Sequence, residues 1–321
     1  MRLRLVGLGP TFLWLSPHNF SKARWYRVLY RTPLQVTQKF SGRLARAFFL
    51  VKRGIYKKFS KGGCMSIEKR RPEKDEVFNE KDAKAYADGC DFQEGIKKTS
   101  DYAIVAAEAA RMFGKRGRLS GLVVEICPGP GNLCGELIKK GVQKVIGIDA
   151  SETMLNHASK KFEHEIAQGR MEFKKGWAQQ LPINDGIAKG SINFHSFHQF
   201  KDEQRAFDAL KEMIRILAPN GWGFVRDFRR DVSKPIMDTF LKRRTAKTPA
   251  VAELLRESLS AAFSQDEFID MLKRIDGIRF TVENARDPRR ILSLLPAIAL
   301  DPVPHWMDSM IDQNVKIQKL K

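Results

Sequence analysis

The chain has 321 residues, of which 43% are hydrophobic and 29% charged, the composition of an ordinary globular protein that is long enough for a sizeable core. Its formal net charge of +20 would suggest a nucleic-acid or membrane partner if the charge were evenly spread. It is not, because residues 1–64 contain 14 Lys and Arg and no Asp or Glu, whereas the remainder contains 43 basic and 37 acidic residues. The globular part is only mildly basic, which argues against nucleic acid as its partner.

Residues 1–64 form a basic, acid-free extension that is open to three interpretations. Its Arg-rich, Ser-bearing composition fits an organellar transit peptide, which would place the protein in an organelle matrix. Its interleaved basic and aromatic residues would also suit an interfacial helix or a nucleic-acid-binding arm. The third interpretation is that the native chain begins at Met65 and is cytoplasmic. The apolar run from Leu5 to Leu15 is too short, and too interrupted by Gly and Pro, to span a bilayer.

The four cysteines are Cys64, Cys90, Cys127 and Cys134, and they include no CxxC pair and no His partner at metal-ligand spacing. We therefore expect no bound metal. A reducing compartment is the default for such a chain, and Cys127 and Cys134 are expected to act as small packing residues.

From Met65 onward the sequence predicts a leading helical segment at 65–100 and then alternating strands and helices. Strands are predicted at 122–126, 144–148, 171–176, 192–197, 222–228 and near 278–283, and helices at 101–113, 133–140, 152–162, 202–217 and 250–263. A seventh strand is unclear, since the apolar stretch 289–304 is broken by prolines. Alternation at this spacing implies a doubly wound α/β domain with a parallel sheet. Ligands bind such sheets at the carboxyl ends of the strands.

The loop after the first strand, within "VVEICPGPGNLC" at 123–134, carries the strongest ligand signal. Gly129 and Gly131 permit positive φ angles and close approach of a ligand, and the next helix points its N-terminus at that ligand. A dinucleotide fingerprint would need a third glycine at Cys134, and a phosphate-binding loop would need Lys before Ser or Thr; both are absent. Glu125 suits instead an adenosyl ligand carrying an amino acid, whose ammonium group needs an acceptor.

The second strand ends at Asp149, in "VIGIDAS", eighteen residues past Gly131. A carboxylate at this position can accept hydrogen bonds from both hydroxyl groups of a ribose. The alternative is that Asp149 caps the following helix, a role that Ser151 would serve equally well. We favour the ribose role.

Residues 100–285 resemble the class I S-adenosylmethionine-dependent methyltransferases, of the small-molecule type related to the quinone-biosynthesis methyltransferases. Four stretches carry the resemblance, in order: "VVEICPGPGNLC", "GIDASETML", "GWAQQLPI" and "KEMIRILAPNGWGFVRD". The resemblance implies the Rossmann-like methyltransferase fold, with helices on both faces of a mainly parallel seven-stranded sheet. It also implies S-adenosyl-L-methionine as cofactor and methyl transfer to a small-molecule acceptor. It places the domain at 101–290 and leaves 291–321 as a C-terminal tail.

The resemblance implies a set of cofactor-binding residues: Glu125, Cys127, Gly129, Gly131, Asp149, Ala150, Trp177 and Ala178. Glu125 and the two glycines would line the methionine and ribose side. Asp149 would hold the ribose, and Ala178 would lie beside the adenine. Two positions depart from the family pattern. Cys127 stands where the family has Gly or another small residue, and Trp177 replaces an acid or Asn, so that its ring would stack on the adenine instead.

Methyl transfer from a sulfonium is an in-line displacement that needs chiefly positioning and desolvation. An oxygen or acidic-carbon acceptor can also need a general base. His195 and His198, which follow the fourth strand, are the candidates for this base by location. The alternative for either histidine is a packing or capping role.

Arg226 and Asp227 end the fifth strand and are candidate substrate residues at the same cleft. Together with Arg229 and Arg230, Arg226 would neutralise an anionic substrate. A solvated basic face is the alternative. The helix predicted at 250–263 stands where the family inserts elements that cover the substrate, and it would determine specificity.

Two other functions remain open. A methyltransferase acting on RNA or protein would need the basic extension to be real, and the Asn/Asp-Pro-Pro-Tyr signature of amine methylation is missing after the fourth strand, where "NFHSFHQF" stands. The other is a non-catalytic binding protein built on a methyltransferase fold, for which Cys127 and Trp177 are the warning signs.

Overall fold

A computed structural model describes residues 69–73, 80, 83, 84, 86, 101–113, 121–232, 234–245, 249–285 and 311–320. The basic extension 1–64, with its three interpretations, lies outside these residues, as do Cys64 and Cys90. None of the helices in this part of the chain is long and apolar enough to cross a membrane.

The core of the protein is a seven-stranded sheet with helices on both faces. The strands are β1 (Leu122–Ile126), β2 (Lys144–Asp149), β3 (Met171–Lys175), β4 (Ala188–Phe194), β5 (Leu217–Phe228), β6 (Ile278–Asn284) and β7 (Asp312–Lys319). The helices are α1 (Asp101–Phe113), α2 (Asn132–Lys139), α3 (Glu152–Lys161), α4 (Glu163–Ala167), α5 (Glu203–Arg215), α6 (Lys234–Thr245), α7 (Pro249–Ala261) and α8 (Gln265–Lys273). A short 3₁₀ turn spans Phe197–Gln199.

The strand order is β3-β2-β1-β4-β5-β7-β6. The first five strands are parallel to one another, whereas β7 runs antiparallel to both β5 and β6. The predicted fold class, a doubly wound and mainly parallel seven-stranded sheet, is confirmed.

The seventh strand lies in the stretch that the sequence assigned to a tail. It spans Asp312–Lys319 and not the apolar stretch 289–304, which falls outside the described residues. The sequence did not reveal this strand because its residues are mostly polar. Two of these polar side chains are nevertheless buried and hydrogen-bonded within the protein. Gln313 donates to the carbonyl oxygens of Phe228 and Phe263, and Asn314 accepts from Arg226. The end of the chain therefore completes the sheet, and the domain extends past 290.

Both faces of the sheet are covered, which explains why every residue of β1 except Glu125 is apolar. Val123 packs in the cluster formed with α1 and α2, whereas Val124 and Ile126 pack in the opposite cluster with α5 and α8. All three side chains are fully buried. Each stabilises the fold by about 1.5–3 kcal/mol relative to an exposed side chain.

Three glycines make room for two aromatic rings beside β2 and β3. A Cβ atom at Gly131 would lie 2.9 Å from the Phe173 ring, one at Gly147 would lie 2.7 Å from the same ring, and one at Gly135 would lie 2.5 Å from Phe162. Real Cβ atoms do not approach so closely, so Phe162 and Phe173 can pack here only against glycine. From the sequence, Gly131 was expected to contact a ligand. In the structure, the position that a Gly131 side chain would take is occupied by the rings of Phe162 and Phe173.

The boundaries of β4 and β5 differ from the predicted ones. The prediction for β4, 192–197, was wrong: the strand covers Ala188–Phe194, and the chain turns at His195, where φ is 54°. In β5 the pairing begins at Leu217, before the predicted 222, and continues across a register shift. Asn220 lies in that irregular stretch with φ at 62° and is exposed.

The left-handed backbone of Asn220 gives a stability test. Asn tolerates this conformation, whereas Ala is strained in it, so Asn220→Ala should lower the free energy of unfolding by about 1 kcal/mol. Asn220→Gly should change it by only a few tenths of a kcal/mol. Urea denaturation of the full chain measures both; equal stabilities of the two variants would contradict the assignment.

Candidate active site

A cavity lies where the strand order reverses, between β1 and β4. The loops that follow these two strands leave a crevice at the carboxyl edge of the sheet, as is usual at such a switch point. The space between its walls, including the part that is open solvent, measures about 820 Å³. Its walls are residues 127–130 after β1, 149–151 after β2, 177–179 after β3, and 194–196, 199 and 200 at the end of β4, with Glu125, Met154, Tyr86 and Tyr102.

Most of the predicted cofactor residues meet at this cavity. Those that line it are Glu125, Cys127, Gly129, Asp149, Ala150, Trp177 and Ala178, whereas Gly131 does not. Gly129 has a φ of 52°, and a Cβ atom there would find nothing closer than the Met154 sulfur at 4.0 Å. Close approach of a ligand to the backbone is therefore possible at Gly129, whereas a side chain at Gly131 would meet Phe162 and Phe173.

Glu125 is a buried carboxyl group whose Oε2 atom has no hydrogen-bond partner in the described part of the chain. Burial raises the pKa of Glu125 to about 8; a hydrogen bond with Cys134 opposes this shift, and the nearby charge of Asp149 adds to it. A buried acceptor without a donor is costly, so the site suits a ligand that brings a donor or a positive charge.

Asp149 is held by backbone donors at the opening of the cavity. Its Oδ2 atom accepts from the N–H of Gly129 at 3.0 Å, and its Oδ1 atom accepts from the N–H of Ser151 at 2.9 Å. Burial raises the pKa of Asp149, and these backbone donors oppose the shift. The capping role belongs to Ser151, whose hydroxyl accepts from the N–H of Met154. Each carboxylate oxygen of Asp149 keeps a lone pair for a further donor.

The loop after β3 supplies the third wall. Trp177 is 51% exposed there, Ala178 is buried, and the Nε2 atom of Gln179 is buried without a partner among the described residues. Two residues of α5 hold this loop in place by hydrogen bonds on the side away from the cavity. Arg215 donates to the carbonyl oxygens of Leu181 and Ile183, and Glu212 accepts from the N–H of Leu181.

Cys127 and His195 share an unusual backbone conformation at the cavity. Each is the first residue after its strand, and each has a positive φ, 55° and 54° respectively. Asn220 is the one further non-glycine residue with positive φ in the described part of the chain. Such strain costs about 1–2 kcal/mol and is commonly found at functional sites.

His195 lines the cavity as predicted. Its ring is stacked between Phe194 and Phe228, with centroid distances of 4.1 and 4.2 Å. Its Nε2 atom lies 3.4 Å from Asp312 Oδ1, close enough for charge attraction but outside hydrogen-bond geometry. Contacts of this kind in a site without substrate often tighten on binding. The sequence could not pair these residues because Asp312 belongs to the strand that it missed.

His198 does not line the cavity, so its location contradicts the prediction of a catalytic base. It is buried behind the cavity wall, where its Nδ1 atom lies 2.6 Å from Asp227 Oδ1 and its Nε2 atom 3.8 Å from Glu73. The backbone N–H of His198 donates to Asp227 Oδ2. Burial by itself would lower the pKa of His198, but Asp227 and Glu73 raise it despite the nearby Arg70.

Arg226 and Asp227 also lie away from the cavity, so the location predicted for these substrate residues was wrong. Asp227 is engaged with His198, and Arg226 is buried between Glu108 at 2.7 Å and Asn314 at 2.8 Å. Neither a substrate contact nor a solvated basic face fits such burial.

The neighbouring arginines are engaged in the same way. Arg229 chelates Asp231 and Arg230 pairs with Glu267. Among the described residues, the cavity lining contains two acids and neither Lys nor Arg.

The expected cover over the substrate is not seen in the described residues. Helix α7 spans Pro249–Ala261, and its Leu255 and Leu259 pack with Ile236 and Phe240 of α6. None of residues 249–285 lines the cavity. Aromatic residues that the sequence did not single out line it instead, namely Tyr86, Tyr102, Phe194 and Phe200.

The buried position of His198 predicts a pH-dependent stability. Because its folded-state pKa is above 6.5, its stabilising effect is complete below pH 6.5 and is lost as the pH rises through the folded-state pKa. His198→Gln should therefore lower the free energy of unfolding most at pH 6, and the difference from wild type should shrink by at most about 1.4 kcal/mol per pH unit as the pH rises. Denaturant unfolding at several pH values measures it. A difference for His198→Gln that does not change with pH would contradict the prediction.

Comparison with known proteins gives two results at the level of sequence. Residues 123–221 match the model of a protein family described as a methyltransferase domain. Demethylmenaquinone methyltransferase of Lactococcus lactis subsp. lactis is 33% identical over 116 residues, which are 35% of this chain and 44% of that protein. The chain thus matches less than half the length of this curated relative.

A solved structure extends the likeness over most of the described fold. A Methanococcus maripaludis protein assigned to the S-adenosyl-L-methionine-dependent methyltransferases superposes with a TM-score of 0.54 at 20% identity. The match covers 78% of this chain and 98% of that chain. At this identity the likeness shows a shared fold.

Proposed function

We propose that the chain binds S-adenosyl-L-methionine in the cavity between β1 and β4 and methylates a small-molecule acceptor, in keeping with the match of residues 123–221 to a methyltransferase domain. The observation that carries the proposal is the pair of buried carboxyl groups, Glu125 and Asp149, in a cavity whose described lining has no Lys or Arg. This charge pattern disfavours a pyrophosphate and favours a ligand with an ammonium group and a sulfonium.

The residues present fit the parts of this cofactor. Glu125 Oε2, which has no partner among the described residues, suits the ammonium group. Asp149 suits the ribose hydroxyls, since its two oxygens are held toward the cavity by the N–H groups of Gly129 and Ser151. Trp177 and Ala178 suit the adenine, with the exposed indole available for stacking.

The cofactor supplies an activated methyl group, so the protein has to position the acceptor and keep water away. Tyr86, Tyr102, Phe194 and Phe200 provide an aromatic wall for both tasks. Because the described part of the cavity lining offers no Lys or Arg to neutralise a negative charge, we propose an uncharged acceptor and no longer an anionic one. The similarity to the Lactococcus demethylmenaquinone methyltransferase supports an acceptor of this kind.

His195 remains the candidate general base. It lines the cavity, its ring is fixed by two stacking neighbours, and its Nε2 atom faces Asp312. The nearby carboxylate of Asp312 would help to orient the imidazole ring. Acceptors whose reacting atom carries an acidic proton would need this base.

Calorimetry with S-adenosyl-L-homocysteine tests the cofactor site directly. The wild-type protein should bind this product, and Asp149→Asn should weaken binding roughly 10- to 100-fold, the effect of losing a charged partner for the ribose. Asp270→Asn, which changes an exposed surface carboxylate, is the matched control and should bind as the wild type does. Absence of wild-type binding at millimolar ligand would reject the proposal in favour of a non-catalytic protein.

The raised pKa of Glu125 predicts a pH-dependent affinity. With a pKa of about 8 the carboxyl group is mostly protonated at pH 6, and it must ionise to attract the ammonium group of the ligand. The affinity for S-adenosyl-L-homocysteine should therefore rise nearly tenfold between pH 6 and pH 7. Glu125→Gln should bind weakly with no such rise. An equal pH dependence in both proteins would show that another group titrates.

A further inference from the structure

A short extended segment outside the family match, residues 69–73, crosses the back of the cavity wall. We name it the strap. It contacts two chain segments: residues 195–201, named here the β4 loop, and the C-terminal end of α7. No strap residue lines the cavity itself.

Arg70 makes the central contacts of the strap. Its Nε atom donates to the carbonyl oxygen of Ala261 at 2.6 Å, and its Nη1 atom donates to that of Lys201 at 3.1 Å. Its Nη2 atom donates to the carbonyl oxygens of His198, at 3.0 Å, and Phe200. One planar group thus serves four carbonyl oxygens, which a lysine ammonium with three donors cannot do.

The guanidinium of Arg70 is also packed, since it lies over the ring of Phe263 with its carbon 4.1 Å from the ring centroid. Its hydrogen bonds satisfy carbonyl groups at the ends of α7 and of the 3₁₀ turn, where helices leave acceptors unpaired. A positive charge is favourable at both of these C-terminal ends. The strap therefore joins two segments that are about sixty residues apart in the chain.

Two further residues of the strap, Arg71 and Glu73, also contact the rest of the protein. The N–H of Arg71 donates to the carbonyl oxygen of Ser260 at 3.1 Å. Glu73 accepts from the hydroxyl of Ser258 at 2.7 Å and lies 3.8 Å from His198 Nε2. His198 is in turn bonded to Asp227 on β5. The β4 loop is therefore held between the strap on one side and the sheet on the other.

The opposite side of the β4 loop is the cavity wall. His195, Ser196, Gln199 and Phe200 line the cavity, and the carbonyl oxygen of Phe200 is one of those bonded by Arg70. The β4 loop therefore contacts the strap on one side and forms the cavity wall on the other. A shift of the strap would move this loop and, with it, the wall.

We propose that the strap is a positioning element of the active site, with Arg70 as its key residue. Arg70 holds the β4 loop in the conformation that forms the wall, so strap docking and ligand binding stabilise each other. The inference rests on the cofactor site proposed above. Because coupling between two sites is reciprocal, a ligand in the cavity must also stabilise the docked strap.

Hydrogen–deuterium exchange and calorimetry on the full chain with S-adenosyl-L-homocysteine test this coupling. In the wild type, ligand should slow exchange in residues 69–73, although none of them lines the cavity. Arg70→Ala should speed exchange in the β4 loop and weaken ligand binding about tenfold, within the 5- to 150-fold range of such coupling. Arg70→Lys should give an intermediate affinity.

Two controls separate positioning from general destabilisation. Arg71→Ala removes the neighbouring exposed side chain, keeps its backbone hydrogen bond, and should leave affinity unchanged. Asn220→Ala lowers global stability far from the strap and should also leave affinity unchanged.

Wild-type affinity in Arg70→Ala, or strap exchange that ligand does not alter, would overturn the inference while leaving the cofactor site intact. If Arg70→Ala does not fold, Arg70→Lys and the wild-type exchange decide the matter. A wild type that binds no ligand would overturn both proposals.

Discussion

The site depends on the parallel pairing of β1 with β4 at the point where the strand order reverses. The side-chain amide of Asn193 secures this pairing at the carboxyl edge. Its Nδ2 atom donates to the carbonyl oxygen of Ile126 at 2.8 Å and to the Ser196 hydroxyl at 2.6 Å. Cys127 and His195 follow directly after these hydrogen bonds, and both have a positive φ angle. From there the two loops separate and leave the cavity between them. A single buried amide thus joins the two walls between which a ligand must fit.

Charge is distributed so that the cavity stays acidic in a chain that is basic overall. The arginines at the end of β5 are engaged by partners distant in sequence: Arg226 by Glu108 and Arg230 by Glu267. Buried pairs of this type add little stability by themselves, but they keep positive charge away from the neighbouring cleft. The two carboxyl groups of the site therefore meet no competing cation from the described lining.

The sequence predicts the strands and loops that follow local rules, and it fails where distant segments meet. The β1 to β5 alternation and the loops at Glu125 and Asp149 could be read because apolar periodicity and glycine turns are local signals. β7 could not, since Gln313 and Asn314 are polar yet buried by bonds to other segments. Likewise, the sequence could not tell that His195 lines the cavity whereas His198 is bonded to Asp227 behind it.

The position of β7 has a consequence for how the chain folds during synthesis. Seven residues of β5 pair with β7, and β6 pairs with β7 alone in the described sheet. While the ribosome has not yet produced residues 312–319, β5 is an open strand edge and β6 cannot join the sheet. Unpaired edges of this kind are prone to association with other chains. The segment that the sequence presents as a tail is thus the one that covers the β5 edge and brings β6 into the sheet.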